Sequence, residues 1–248
     1  MPYDPAPMRL LLPPSETKSH GGDGPALDPD RLGFPELTDV RRTLLAALGE
    51  LAADPDRCRA ALGLSAHQDA EITRNARLLT SPTTPAISRY TGVLYDALDT
   101  ASLSPAARRR ASRSIVVCSA LFGALRPDDP IPAYRLSAST GLPGLGTLAA
   151  IWRPSLEHAL AAGPGPIIDL RSGAYAALAP LAEAITVRVV AEDGRTVSHH
   201  NKAAKGRLVR AFLTAPRQPK TLAALIAAAA ATGLTVRRSA SHAIEVHI

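Results

Sequence analysis

Only four lysines stand among the 28 Lys and Arg residues of this 248-residue chain: Lys18, Lys202, Lys205 and Lys220. A sequence so committed to arginine uses it wherever positive charge alone suffices. The retained lysines therefore mark positions that call for a compact amine, a point hydrogen-bond donor or a nucleophile. Lys18 follows a short apolar strand and the loop Pro14-Ser15-Glu16-Thr17, and strand ends of this kind hold ligands in sheet proteins. Lys202 and Lys205 begin a helix, where three-residue spacing puts them on one face. An amine in a cationic pocket has a lowered pKa and forms a Schiff base with an aldehyde such as an abasic sugar. The plainer alternative for each lysine is a solvated surface amine.

Two other strand ends carry candidate chemistry. Ser119-Ala120-Leu121-Phe122-Gly123-Ala124-Leu125-Arg126-Pro127 follows a buried-strand pattern and leads to Tyr134-Arg135. Arg126 and Arg135 offer planar, multi-donor contacts to phosphate, with Ser119 and Tyr134 as further donors. Salt bridges to Asp128 and Asp129 are the competing explanation. Asp169-Leu170-Arg171-Ser172-Gly173, with Tyr175 just beyond, leaves a strand and enters a helix. Ser172 and nearby amides can face an anion there, with Asp169 orienting a lysine or arginine. A simple N-cap role for Ser172 stays open.

Metal and dinucleotide chemistry find little support. His199 and His200 fall on an expected strand, Val197 to His200, and so point to opposite faces. His20, His67, His158, His242 and His247 have no ligand spacing, and no zinc pattern, P-loop or Gly-x-Gly-x-x-Gly occurs. No metal and no cofactor is expected.

The formal charge of +6 and the pI near 9.7 favour a polyanionic partner, because phosphates gain against fixed cations and release counterions. Only 4% of the chain is aromatic, which argues against an extended base-stacking surface. Cys58 and Cys118 are far apart, and the Pro-rich start Met1 to Arg9 has no apolar h-region, so a reducing, cytoplasmic setting is expected. No run of about 18 apolar residues suggests a membrane span.

The elements that must position these groups alternate irregularly. Residues 1–8 read as a loose arm, and 9–248 as one domain of mixed α/β (α+β) class. Arg9 to Leu12 is a strand stopped by Pro13-Pro14, and Ser114 to Cys118, Ile167 to Leu170 and Ile185 to Val190 are further strands. Val197 to His200 is expected to pair with the last of these across an Asp193-Gly194 turn, and the chain closes on a hairpin, 234–238 and 242–248. Helices are expected over about 39–53, 55–62, 66–79, 90–98, 202–213 and 219–231. Ser65 and Gln68 fit a capping box, and Ser104-Pro105 a helix start. A further helix over 148–162 is interrupted by Pro154, a kink or break. Residues 37–100 form a helical subdomain beside the sheet.

Taken in order, Leu12-Pro13-Pro14-Ser15, Tyr90-Thr91-Gly92-Val93, Ser119 to Pro127 with Tyr134-Arg135-Leu136 and the downstream Trp152, Asp169 to Tyr175, and Lys202 to Gly206 resemble the YaaA peroxide-stress family from about residue 9 to 215. The resemblance implies a compact α/β fold with a central sheet and a positively charged cleft, and DNA binding linked to oxidative stress. It also implies a helix-hairpin-helix-like element, which by position falls on the helices around Ala60 to Leu79. It adds Ser15 and Tyr90 to the ligand-binding candidates Ser119, Arg126, Arg135, Ser172, Lys202 and Lys205. Lys18 stands two positions later than the lysine of the family's Ser-Pro-Ala-Lys pattern.

Two functions of different class follow. One is a DNA-binding stress protein without turnover. The other is an enzyme acting on a nucleotide, damaged nucleic acid or another phosphorylated small molecule, with Lys18, Lys205 and Tyr134 as its catalytic groups. A scaffold with incidental charge is the third possibility.

Overall fold

Leu10, Leu11 and Leu12 are fully buried, and β1 (Arg9–Leu12) lies inside the main sheet. It stops at Pro13-Pro14, which lack the N–H groups a ladder needs. The computed structural model describes residues 7–190 and 198–248. In chain order β2 (Gly24–Ala26), α1 (Thr38–Ala52), α2 (Pro55–Leu62), α3 (Asp69–Ala76), β3 (Pro82–Pro85), α4 (Ala86–Arg89), α5 (Val93–Leu98) and α6 (Pro105–Ser114) lead to β4 (Ile115–Ser119). Then come β5 (Gly123–Leu125), β6 (Pro130–Ile131), β7 (Gly141–Leu142), β8 (Gly146–Thr147), α7 (Leu148–Ala161), β9 (Ile167–Asp169) and α8 (Gly173–Ala176). The chain ends with β10 (Ile185–Val190), α9 (Ser198–Thr214), α10 (Leu222–Ala230), β11 (Thr235–Ala240) and β12 (Ala243–His247).

The seven-stranded sheet runs β11-β12-β10-β9-β1-β4-β5. Its inner pairs are parallel, and only β11 and β5, at the two edges, run antiparallel to their neighbours. This is the mixed α/β class expected. From β1 the chain crosses to β4 on one side, and from β9 it continues to β10 on the other. The loops after β1 and β9 therefore diverge at a topological switch point, where open parallel sheets leave a crevice.

Several elements sit as anticipated. The Ser65 amide donates to Gln68 Oε1 at 3.0 Å, Ser104 Oγ caps α6 through the Ala107 amide at 3.3 Å, and β11 and β12 form the closing hairpin. Others differ. Residues 198–200 are the first turn of α9, not a strand, so His199 and His200 are helical neighbours; the Asp193-Gly194 turn and Val197 lie outside the described residues. Helix α7 continues unbroken through Pro154. Tyr90 and Thr91 are not helical: Gly92 takes φ +96° and α5 starts only after it, while Tyr90 bridges to Lys18. Within residues 37–100, α1 packs on α2 and α3, but β3 joins β2 and β6 in a small separate sheet and α5 packs on α9.

Among the described residues, two arginines are wholly buried without carboxylate partners. Arg41 donates to the carbonyls of Gly33, Phe122 and Ala124 at 2.7, 3.0 and 2.7 Å, and Arg89 to those of Ser19, Gly21 and Ile131 at 2.6, 2.8 and 3.1 Å. Each ties loop carbonyls that no ladder satisfies. Trp152 Nε1 likewise donates to Ala120 O at 2.8 Å, and a side chain at Gly123 (φ +72°) would meet the indole ring at 2.7 Å.

Gly206 lets α9 approach α5, since a Cβ there would collide with the Leu94 carbonyl oxygen. Gly206→Ala is predicted to destabilise by about 1–3 kcal/mol despite alanine's better helix propensity. Gly49→Ala on α1, where a Cβ meets nothing within 4 Å, should stabilise by roughly 0.5–1 kcal/mol. Chemical denaturation of both variants checks the pair; a Gly206→Ala protein as stable as wild type would contradict the close helix contact.

Candidate functional site

At the switch point lies a cleft of about 690 Å³. Its walls are the loop Pro13 to Thr17 after β1, Thr91 to Tyr95 leading into α5, Leu170 to Gly173 with Tyr175 after β9, and Asn201, Lys202 and Lys205 on the first turns of α9. Gly92 allows the first two walls to meet, because a Cβ there would sit 3.1 Å from Thr17 Oγ1 and 3.3 Å from Ser15 Oγ. Tyr95 Oη fastens the same corner by donating to Pro13 O at 2.9 Å.

Each of two lysines holds one of the diverging loops. Lys18 Nζ donates to Ser15 O at 3.1 Å and Glu16 O at 3.4 Å, and lies 4.3 Å from the centre of the Tyr134 ring. Lys205 Nζ donates to Leu170 O at 2.9 Å and Arg171 O at 3.4 Å. Burial pulls the Lys18 pKa down to about 8, with Glu16 opposing and Arg135 adding to the shift. Burial also lowers Lys205, against the opposing charge of Asp169. An ammonium has three N–H donors; with two carbonyls satisfied, Lys205 keeps one for a ligand in the cleft it lines.

Behind the β1 loop runs a buried hydroxyl chain. The Phe122 amide donates to Ser119 Oγ at 3.0 Å, Ser119 Oγ meets Tyr134 Oη at 2.8 Å, and Tyr134 Oη meets Tyr90 Oη at 2.9 Å. Burial raises both tyrosine pKa values, Tyr90 to about 12, so neither is a phenolate at neutral pH.

The ten candidates divide by place. Ser15, Ser172, Lys202 and Lys205 line the cleft. Lys18, Tyr90, Ser119 and Tyr134 form the network behind its β1 wall, joined by Arg135, whose Nη1 pairs with Glu16 at 2.8 Å. Arg126 is not with them. Strand β5 runs antiparallel to β4 and carries Arg126 away from that edge, to stack over Phe34 at 5.0 Å; Asp129 accepts its backbone N–H, not its guanidinium. Ser172 occupies the N-cap position of the four-residue α8 without a side-chain capping bond. Asp169 orients Arg171 through bonds of 2.9 and 2.7 Å.

Glu16 is the residue that reasoning from sequence overlooked: the one carboxylate among the described residues lining the cleft, on the same loop as Ser15 and Lys18. Cys118 is buried and its thiol is pushed up to about 12, and burial also raises Cys58. Around Ala60 to Leu79, Gly63 ends α2 in the left-handed conformation and Arg59 bridges to Asp69 at 2.8 Å. The first turn of α3 is acidic and the Ser65 amide is already occupied by Gln68. Among the described residues no cluster of His, Cys, Asp and Glu is arranged to hold a metal, and no helix is long and apolar enough to cross a membrane.

Fold and cleft thus define an α/β protein with a lysine-held crevice at the switch point of a mostly parallel sheet. Residues 8–239 match the family described as "Peroxide stress protein YaaA", and the chain belongs to that family. It is 47% identical to the UPF0246 protein SCO2297 of Streptomyces coelicolor over 94% of this chain and 93% of that protein. It is 46% identical to the UPF0246 protein CE1889 of Corynebacterium efficiens over 92% and 94% respectively. A UPF0246 protein of Lacticaseibacillus casei is 34% identical over 53% of this chain and 58% of its own length.

The lowered lysines set a sign for pH dependence. The folded pKa of Lys18, about 8, lies below its ordinary value of 10.5, so between those pH values the unfolded chain binds more protons and stability from this group rises with pH. Lys18→Met should flatten that rise in denaturation curves taken across the window, leaving the smaller share from Lys205. An unchanged slope would mean that the Lys18 amine is not desolvated. Tyr134→Phe should cost about 1–3 kcal/mol by stripping Ser119 and Tyr90 of a buried partner, read from the same curves.

Proposed function

We propose that this protein serves the peroxide stress response in the cytoplasm by binding DNA, with the cleft taking up backbone phosphate. The family description supports the stress role. The observation that carries the binding reading is Lys205: a partly desolvated ammonium, anchored on two carbonyls with a donor to spare, beside Lys202 and the Ser15 and Ser172 hydroxyls. Among the described residues, three cationic side chains line the cleft against the single carboxylate of Glu16. Of the three, Arg171 is spent on Asp169, so the lysines supply the attraction. Phosphate contacts of this kind fix position without reading sequence.

A second reading has its own support. The cleft has the volume of a small-molecule site, and Lys18 has a pKa of about 8 beside it. An amine with a pKa this close to neutral keeps a minor free-base fraction that can condense with an aldehyde, so turnover of damaged nucleic acid or a phosphorylated small molecule is the alternative.

Duplex binding measured at several salt concentrations tests the first reading. Affinity should fall steeply with salt and vary little with sequence, and Lys202→Ala/Lys205→Ala should weaken it about tenfold or more, the order expected for losing two phosphate contacts. Signals weaker than micromolar at low salt would contradict it. Borohydride reduction in the presence of an abasic duplex separates the two readings: a covalent adduct lost in Lys18→Ala or Lys205→Ala establishes the amine chemistry, and no adduct removes it.

A further inference from the structure

The positive excess of the chain is concentrated. Residues 105–114 and 198–221 hold ten of the 28 Lys and Arg and no Asp or Glu, while the other 18 cations face all 22 acids. Without these two stretches the protein would be acidic.

The two stretches fold against each other. Arg110 Nη1 donates to the carbonyls of Phe212, Leu213 and Ala215 at 3.0, 2.8 and 2.8 Å, and Gln218 Nε2 to Ser114 Oγ at 3.2 Å. The end of α9 is thereby fixed on α6, while its start forms a wall of the cleft. Between Lys202 and Thr214 the helix rises about 18 Å, a distance over which duplex DNA presents about ten phosphates.

Not every cation on these elements is available. Arg110 is committed to carbonyls, and Arg210 to Asp99 at 3.4 Å. Arg109 and Arg113 on α6, Lys202 and Arg207 on α9, and Arg217 beyond it are exposed. Arg109 and Arg113, four residues apart, share one helical face. None of these five pairs with a carboxylate among the described residues. The exposed large apolar side chains, Leu79 and Leu145, lie on neither stretch, so the surface lacks the apolar face with which a helix enters a lipid interface.

We propose that the outer surface of α6 and α9 is a track for the backbone of duplex DNA, leading into the cleft at Lys202. The proposal rests on the DNA-binding reading of the cleft and extends it to a surface with its own residues. Charge complementarity selects the partner: two packed stretches without acids of their own, carrying exposed arginines, suit regularly spaced phosphates even with Asp99 beside Arg210, and arginine forms bidentate contacts with them.

The test compares three full-length proteins: wild type, the track variant Arg113→Glu/Arg207→Glu, and the cleft variant Lys205→Ala/Ser172→Ala. Each is titrated with a 30-base-pair duplex across a salt series and with anionic phosphatidylserine vesicles, and thermal unfolding checks that each remains folded. The track variant should lose about tenfold or more in duplex affinity, and its slope of log affinity against log salt should become shallower by about two units. If it binds duplex as wild type does while the cleft variant fails, the track is overturned and the cleft reading stands. If the track variant fails and the cleft variant binds normally, the track stands and the cleft reading falls. Wild type that binds vesicles but not duplex at low salt overturns the track and assigns the surface to membranes.

Discussion

Two ammonium groups hold apart the loops on which the rest of the site depends. Strands β1 and β9 are adjacent, but the chain leaves them in opposite directions, so their C-terminal carbonyls point into a gap with no ladder to receive them. Lys18 takes the carbonyls of Ser15 and Glu16, and Lys205 those of Leu170 and Arg171. Burial of each amine costs solvation and lowers its pKa. The same geometry that stabilises the loops therefore desolvates the amines.

The charge of the cleft follows a similar logic of commitment. Arg171, Arg135, Arg41 and Arg89 are all engaged, by Asp169, by Glu16 or by carbonyls. They organise loops. Of the cations lining the cleft among the described residues, Lys202 and Lys205 on α9 are those without a carboxylate partner. A net charge of +6 thus understates the asymmetry, because the acids sit elsewhere in the chain. The cysteines point the same way: both are buried with raised pKa values, and the thiol form is unreactive. Neither thiol is therefore poised as a thiolate to react with peroxide.

Much of this was legible in sequence. The Pro13-Pro14 stop after Leu12, the buried pattern of β4 and the rarity of lysine point to loops at strand ends, and two of the four lysines bond the carbonyls of such loops. Arg126 was misplaced because sequence order brings it close to Ser119, and only the antiparallel turn into β5 carries it back along the sheet. Tyr90 looked helical by its neighbours, yet the positive φ of Gly92 delays α5, a backbone requirement that composition does not reveal. His199 and His200 fit a strand by local pattern, whereas α9 begins at Ser198 and includes them. Nothing in the residues around Arg41 or Arg89 signals burial, since their partners are carbonyls from distant loops.

The proposed binding depends on the spare N–H of Lys205 receiving an anion in the cleft. Its ε-carbon and ε-proton resonances, followed by NMR as inorganic pyrophosphate is added, report that event at the atom concerned. A saturable shift at Lys205 is expected together with a rise in its pKa, as the bound charge offsets the cost of burial. A Lys205 signal and pKa that stay constant, while exposed lysines show only the weak drift of bulk ionic strength, would contradict it.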